Sequence, residues 1–269
     1  MKEFVIGDIH GGYRALIQVL ERASFDYEND KLIVLGDVCD GWSGTAESIE
    51  ELLKIKNLVY CSGNHDDWVI KFLKEENLSK DPIEKLRQTQ IRAGWFHQGG
   101  KATIFSYEKY PELIDKHLQF LKSGLLYYID EKNRLFVHAG FDETVDIDKQ
   151  DPKTYLWDRE LVHLMFNETL ETPDLSKYKE VYVGHTPTIG IVSHYNHLSG
   201  KPINKNNFWM MDTGATFMGK LSMMEINNKE LFQSDPVFTL YPKERGRNGC
   251  LLMEEKNWNH WGLFPGENW

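Results

Sequence analysis

Six times along the 269-residue chain an apolar run gives way to a turn residue and then to a side chain able to hold a metal. The segments are Phe4-Val5-Ile6-Gly7-Asp8-Ile9-His10, Ile33-Val34-Leu35-Gly36-Asp37, Leu58-Val59-Tyr60-Cys61-Ser62-Gly63-Asn64-His65, Leu135-Phe136-Val137-His138, Val181-Tyr182-Val183-Gly184-His185 and Phe208-Trp209-Met210-Met211-Asp212-Thr213-Gly214. Runs of this kind read as buried strands, and glycine lets the chain turn sharply where a strand ends. The first five segments deliver Asp8, His10, Asp37, Asn64, His138 and His185. A chain punctuated in this way brings oxygen and imidazole donors to one edge of a sheet, where two metal ions can sit close together.

The first 65 residues alternate strand, helix, strand, helix, strand, with helices expected over Tyr13–Ala23 and Thr45–Lys54 and with Thr45 as N-cap. Such repetition implies parallel strands with helical crossovers, and ligands bind beyond the carboxyl ends of those strands. Residues 66–130 read as a helical insert over Asp66–Leu78, Ile83–Phe96 and Glu112–Lys122, placed where it could cap the site. Strands return over 131–225, with a helix near Leu156–Leu170 and a polar loop over His194–Asn207. Phe208–Asp212 and Leu221–Ile226 read as an antiparallel pair turning through Phe217–Lys220. A C-terminal extension over 227–269 carries Trp258, Trp261 and Trp269, expected to pack onto the domain. No linker divides the chain, so 1–269 is expected to be a single domain.

A formal net charge of −10 disfavours non-specific nucleic-acid binding, which rests on cationic neutralisation of phosphates. No apolar stretch approaches the roughly 18 residues of a membrane span, and the first strand begins too early to leave room for a signal peptide. Cys39, Cys61 and Cys250 form no C-x-x-C pair. Reduced thiols in a cytoplasmic setting are the expectation, with Cys39 and Cys61 as small core residues.

Asp8 and His10 stand two apart, so in extended chain both side chains point the same way and can reach one ion. Asp37 arrives from the next strand and could bridge two ions; Asn64 adds a neutral oxygen and a phosphate contact; His138 and His185 add imidazoles. This mixed oxygen and nitrogen set suits Mn²⁺, Fe or Zn²⁺, with Mn²⁺ first. Two such ions lower the pKa of a water between them, and the bridging hydroxide can attack phosphorus in line. No serine or cysteine with an adjacent base competes as nucleophile. His65 beside Asn64 can face the substrate as general acid, with Asp40 holding its ring. Arg159, in Trp157-Asp158-Arg159-Glu160, is the candidate phosphate clamp.

Each residue alone has a plainer explanation. Asp8 or Asp37 could cap a helix, His138 could be a satisfied core imidazole, Asn64 could sit in a turn, and Arg159 could pair with Asp158 or Glu160. It is the joint occurrence at successive strand ends that outweighs them. His97, His117, His163 and His260 read as surface or packing residues, and His194 and His197 as part of a solvated loop.

The motifs Gly7-Asp8-Ile9-His10-Gly11, Gly36-Asp37-x-x-Asp40, Gly63-Asn64-His65-Asp66, His138-Ala139-Gly140 and Gly184-His185-Thr186-Pro187, in that order, resemble the calcineurin-like metallophosphoesterases, specifically the phosphoprotein phosphatase branch with its bacterial and phage members. Trp157-Asp158-Arg159-Glu160 and Asp212-Thr213-Gly214-Ala215 resemble the phage enzymes. The resemblance implies a four-layer α/β/β/α sandwich. It implies one metal at Asp8, His10 and Asp37, a second at Asp37, Asn64, His138 and His185, and His65 with Asp40 as the acid dyad. Asp40-Gly41-Trp42 stands where the family usually has Asp-Arg-Gly, so a phosphate-clamping arginine is missing. Either Arg159 acts alone or Arg14, Arg92 or Trp42 compensates. The expected activity is a metal-dependent Ser/Thr (also Tyr) protein phosphatase acting on a phosphorylated protein or small phosphoester, a reading Asp40 favours. The alternative is a hydrolase like the symmetrical dinucleoside tetraphosphatases, toward which Asp66 leans. A scaffold with a decayed site has only Gly41 in its favour.

Overall fold

The computed structural model of the chain describes residues 1–74, 82–188 and 200–247, with 82–87 as backbone only. Among them, β1 (Glu3–Ile6), β2 (Lys31–Val34) and β3 (Asn57–Tyr60) run parallel, and β9 (Ser222–Glu225) and β10 (Leu231–Gln233) extend the sheet antiparallel in the order β10-β9-β1-β2-β3. A second sheet joins β4 (Tyr127–Ile129), β5 (Arg134–Val137), β6 (Glu180–Val183), β7 (Ile203–Lys205) and β8 (Phe208–Met210) in the order β4-β5-β6-β8-β7, with β5, β6 and β8 parallel. All six apolar runs are therefore strands.

Successive side chains on a strand point to opposite faces, and this alternation builds the layers. Val5, Ile33, Phe136, Tyr182, Met211 and Met224 meet between the sheets, where the rings of Phe136 and Tyr182 stack at 4.9 Å. Phe4, Ile6, Leu32 and Val34 point outward against α1 (Tyr13–Arg22) and α2 (Thr45–Leu52), whose Leu16, Val19, Ile49 and Leu52 complete that core. Leu135, Val137, Val181 and Val183 point the other way, against Tyr155 of α7 (Pro152–Trp157) and Leu161, Val162 and Met165 of α8 (Glu160–Phe166). Two mixed sheets face each other with helices outside both, the expected four-layer α/β/β/α sandwich.

Helices α3 (Asn64–Phe72), α4 (Pro82–Trp95), α5 (Lys101–Lys109) and α6 (Ile114–Lys122) occupy the insert, with a kink at Gln98 and Gly99 between α4 and α5 and a 3-10 turn at Pro111–Leu113. Several expectations need correction. Thr45 is the first residue of α2, preceded by Gly44, and its hydroxyl meets that of Thr103 at 3.2 Å instead of capping. The helix near Leu156–Leu170 is broken, because Asp158 is extended and its carboxylate accepts from the backbone N–H groups of Glu160 (3.3 Å) and Leu161 (3.0 Å), starting a new helix. Residues 203–205 form β7 rather than loop, and β8 and β9 lie in different sheets rather than pairing. The extension contributes β10 and a short helix, α9 (Val237–Leu240). His194, His197, Cys250, Trp258, His260, Trp261 and Trp269 lie outside the described residues. No helix among the described residues is long and apolar enough to cross a membrane.

Candidate dinuclear metal centre

Both parallel trios end at the same edge of the sandwich. Asp8 and His10 follow β1, Asp37 follows β2, Asn64 follows β3, His138 follows β5, His185 follows β6 and Asp212 follows β8. All are buried. Among the described residues, eight non-glycine residues have positive φ, and four of them are His10 (50°), Asp37 (48°), Asp40 (71°) and His185 (61°). Such conformations cost free energy and persist where the surroundings over-determine them, typically at functional sites. Glycine makes the close approach practicable: a Cβ on Gly63 would come within 2.1 Å of Asp37 Oδ1.

His10 and His138 are held in the same way. Nδ1 of His10 donates to the Cys39 carbonyl (3.1 Å) and Nδ1 of His138 to the Leu35 carbonyl (2.8 Å). A carbonyl can only accept, so in the neutral ring each Nε2 carries a lone pair. Those lone pairs face oxygens: His10 Nε2 lies 3.6 Å from Asp37 Oδ2 and 3.9 Å from Asp8 Oδ2, and His138 Nε2 lies 3.4 Å from Asp37 Oδ1 and 3.1 Å from Asn64 Oδ1. The two oxygens of Asp37 thus face the two halves of the site. Nε2 of His185 is buried without a hydrogen-bond partner. In these side-chain pairs acceptor faces acceptor, an arrangement a cation reconciles.

Electrostatics agree. Burial pushes His138 down to about 4 and His10 and His185 well below the usual imidazole range, so the rings are neutral and their lone pairs free for a metal. Burial, reinforced by the charges of Asp212 and Asp37, raises Asp8 well above the usual carboxylate range, and burial pushes Asp212 up to about 6. Crowded buried carboxylates of this kind ionise together when cations sit among them. Two groups of donor atoms lie within 4.8 Å of one another: Asp37, His138 and His185, and His10, Asp37 and His65. Asp8 is not in the second group, although its Oδ2 lies 3.9 Å from His10 Nε2; both its oxygens accept from the backbone N–H of His185 at 3.1 Å.

His65 and Asp40 are in direct contact, with Nδ1 2.7 Å from Asp40 Oδ2. The backbone N–H of His65 donates to Asp37 Oδ1 (2.9 Å), and its Nε2 is buried and unpartnered. Burial pushes His65 down to about 3 against the pull of the Asp37 charge. Burial also pushes Asp40 up to about 7, against hydrogen bonds from the Thr103 hydroxyl (2.7 Å) and the Trp95 indole N–H (2.7 Å). Burial thus disfavours the charged form of both partners.

Arg159 makes no ion pair with Asp158 or Glu160 among the described residues. It donates to the Thr186 hydroxyl (3.0 Å) and the His185 carbonyl (3.4 Å), beside the site. The three candidates for the lost arginine's place are engaged elsewhere. Arg14 donates to the Leu240 carbonyl and lies over the Tyr241 ring at 5.0 Å, Arg92 donates to the Phe72 carbonyl at 3.1 Å, and the Trp42 indole donates to the Ala215 carbonyl at 3.0 Å.

Sequence reasoning missed four participants. Asp66 anchors the site loops, accepting from the backbone N–H groups of Val38 (2.9 Å), Cys39 (3.1 Å) and Gly63 (3.0 Å). Its offset of three from Gly63, a carboxylate reaching back to a helix start, was the available signal. Asp212 was legible only as part of a motif. Trp95 and Thr103 lie 55 and 63 residues from Asp40, and nothing local marks them.

Residues 1–214 match the calcineurin-like phosphoesterase family, and the chain belongs to it. It is a metal-dependent phosphoric-ester hydrolase by that membership. Among similar proteins, bis(5'-nucleosyl)-tetraphosphatase PrpE (asymmetrical) of Bacillus cereus strain AH187 is 25% identical over 265 residues, covering 91% of this chain and 98% of its own. A solved structure named "putative diadenosine tetraphosphatase" superposes with a TM-score of 0.57 at 16% identity, over 86% of this chain and 92% of its own. A protein serine/threonine phosphatase from Saccharomyces cerevisiae superposes with a TM-score of 0.51 at 13% identity, over 87% and 79%. At those identities the two structures speak to the fold alone.

Proposed function

We propose that this chain hydrolyses phosphomonoesters with poor leaving groups, such as phosphoserine or phosphothreonine in proteins. The observation that carries this reading is the His65–Asp40 contact at 2.7 Å, buttressed by Trp95 and Thr103. An alkoxide leaving group needs a proton, whereas a nucleotide phosphate leaves readily without one. Asp8, His10 and Asp37 would hold one divalent ion and Asp37, Asn64, His138 and His185 a second, with Mn²⁺ first by donor type. Bound there, the ions would supply an activated water and neutralise charge on the phosphoryl oxygens. His65 gives its Nε2 proton to the leaving oxygen. Asp40 fixes the ring through Nδ1 and supports its charge. Arg159 and Asn64 bind the phosphoryl oxygens, and Asp66 keeps the loops bearing Asp37 and Asn64 in register.

A second reading, dinucleoside polyphosphate hydrolysis, has two supports. Relatives such as the one from Bacillus cereus carry that name. The half-exposed Trp157 has its ring 6.2 Å from that of His185, offering a face on which a base can stack. Side-by-side turnover of a phosphoserine peptide and diadenosine tetraphosphate by the Mn²⁺-loaded protein separates the two. We expect higher kcat/KM on the peptide; a strong preference for the dinucleotide overturns the first reading.

A further inference from the structure

The family arginine is absent at Gly41, and the structure shows why a side chain there would be strained and crowded. Gly41 has φ +90°, and a Cβ on it would lie 2.6 Å from the Thr216 hydroxyl and 3.2 Å from the His10 carbonyl. From the insert, Gly99 presses onto it, accepting from the Gly41 N–H at 3.2 Å. The surrounding space is closed by the C-terminal extension. Tyr241 stacks on Trp42 at 5.2 Å between ring centroids, and Glu244 accepts from the Ser43 N–H (2.9 Å) and hydroxyl (2.6 Å). Gly246, at φ +63°, passes so close that a Cβ would lie 2.8 Å from the Trp42 ring. These contacts set down the next residue, Arg247, whose N–H donates to the Thr216 carbonyl at 3.0 Å.

The Arg247 guanidinium is held from two sides, by Gln98 Oε1 and by the Phe217 ring 5.9 Å below it. Its Nε is buried without a hydrogen-bond partner, and among the described residues no carboxylate pairs with it. Its charge reaches Asp37, Asp40, His10, His65, His138, His185 and Asp212, and adds to burial in lowering the other candidate arginine, Arg159. Two guanidiniums near enough for their charges to interact suit a ligand carrying more than one negative charge.

We propose that Arg247, delivered by the C-terminal extension over the side-chain-free Gly41, supplies the missing phosphate contact and binds the substrate phosphoryl group together with Arg159. Three elements converge to build this contact: the Gly41 loop, the kink at Gln98 and Gly99, and residues 241–247. The proposal rests on the phosphoester-hydrolase reading, so its test includes a readout independent of turnover.

The experiment uses the Mn²⁺-loaded full chain and its Arg247→Ala, Arg247→Gln and Arg247→Lys variants. Orthophosphate binding is measured by calorimetry, and KM and kcat are measured on p-nitrophenyl phosphate. Loss of a charge-assisted contact predicts phosphate binding weakened about ten- to a hundredfold in the Ala and Gln variants. KM should rise in step, bound metal per chain should stay unchanged, and Lys should give an intermediate loss. Added guanidinium should partly restore the Ala variant. A residue that only packs the tail would lower thermal stability without such rescue. Phosphate affinity within twofold of wild type in any folded Ala or Gln variant overturns the proposal. An inert wild type that still binds phosphate through Arg247 would sink the hydrolase reading and leave this contact standing.

Discussion

At the scale of single residues, the proposed mechanism divides labour between His65, which would meet the leaving group, and Asp40, whose carboxylate lies 2.7 Å from the ring nitrogen Nδ1. His65→Asn should slow hydrolysis of a phosphoserine peptide at least tenfold more than that of p-nitrophenyl phosphate, whose leaving group needs little protonation. Trp95→Phe, which removes one of the donors to Asp40, should show the same selective loss in weaker form. Steady-state kcat on the two substrates reads both, and equal losses on both would contradict the acid assignment. The donors were legible because each follows a strand by one to four residues in a recognisable motif. Trp95, Thr103 and Arg247 were not, since each reaches the Asp40–Gly41 loop from a distant segment through tertiary packing alone.

At the scale of elements, the end of the sandwich away from the site is tied by charge. Glu3 at the start of β1 accepts from Arg134 at the start of β5 (2.9 Å) and from Lys132 (2.7 Å), while Arg134 also bonds Asp130 (2.5 Å). Burial pushes the Glu3 carboxyl up, but the hydrogen bonds and charges of Lys132 and Arg134 outweigh it and bring it down to about 2 from 4.5. A depressed folded-state pKa means stability present in full above pH 4.5 and lost as pH falls toward 2. Glu3→Gln should therefore cost about 1.5–3 kcal/mol at pH 7, or several degrees in Tm at about 2–4 °C per kcal/mol. The difference should shrink across that acid window; thermal melts of both proteins at pH 7, 4 and 2.5 check it. The six apolar strands and the first two helices could be read from periodicity. The placement of β8 and β9 in separate sheets could not, because adjacent strands in sequence usually pair and only the packing of both faces decides otherwise. The break at Asp158 was hidden because an extended residue inside a helical pattern is set by its own side-chain bonds.

At the scale of the whole molecule, two sheets that share a core also share one edge, where buried carboxylates and imidazoles gather. The family motifs implied the α/β/β/α layering, and the structure builds it by strand alternation with helices outside both sheets. The packing of residues 241–247 on the Gly41–Ser43 loop was not legible, because residues 227–247 carry no periodic signal long enough to place them. The central claim is that Asp8, His10, Asp37, Asn64, His138 and His185 assemble a paired-cation centre bridged at Asp37. An anomalous difference map from crystals of the Mn²⁺-loaded protein tests it most directly. Two manganese peaks on either side of the Asp37 carboxylate, one toward Asp8 and His10 and one toward Asn64, His138 and His185, are the predicted result. A single peak, or none among these six residues, would contradict it.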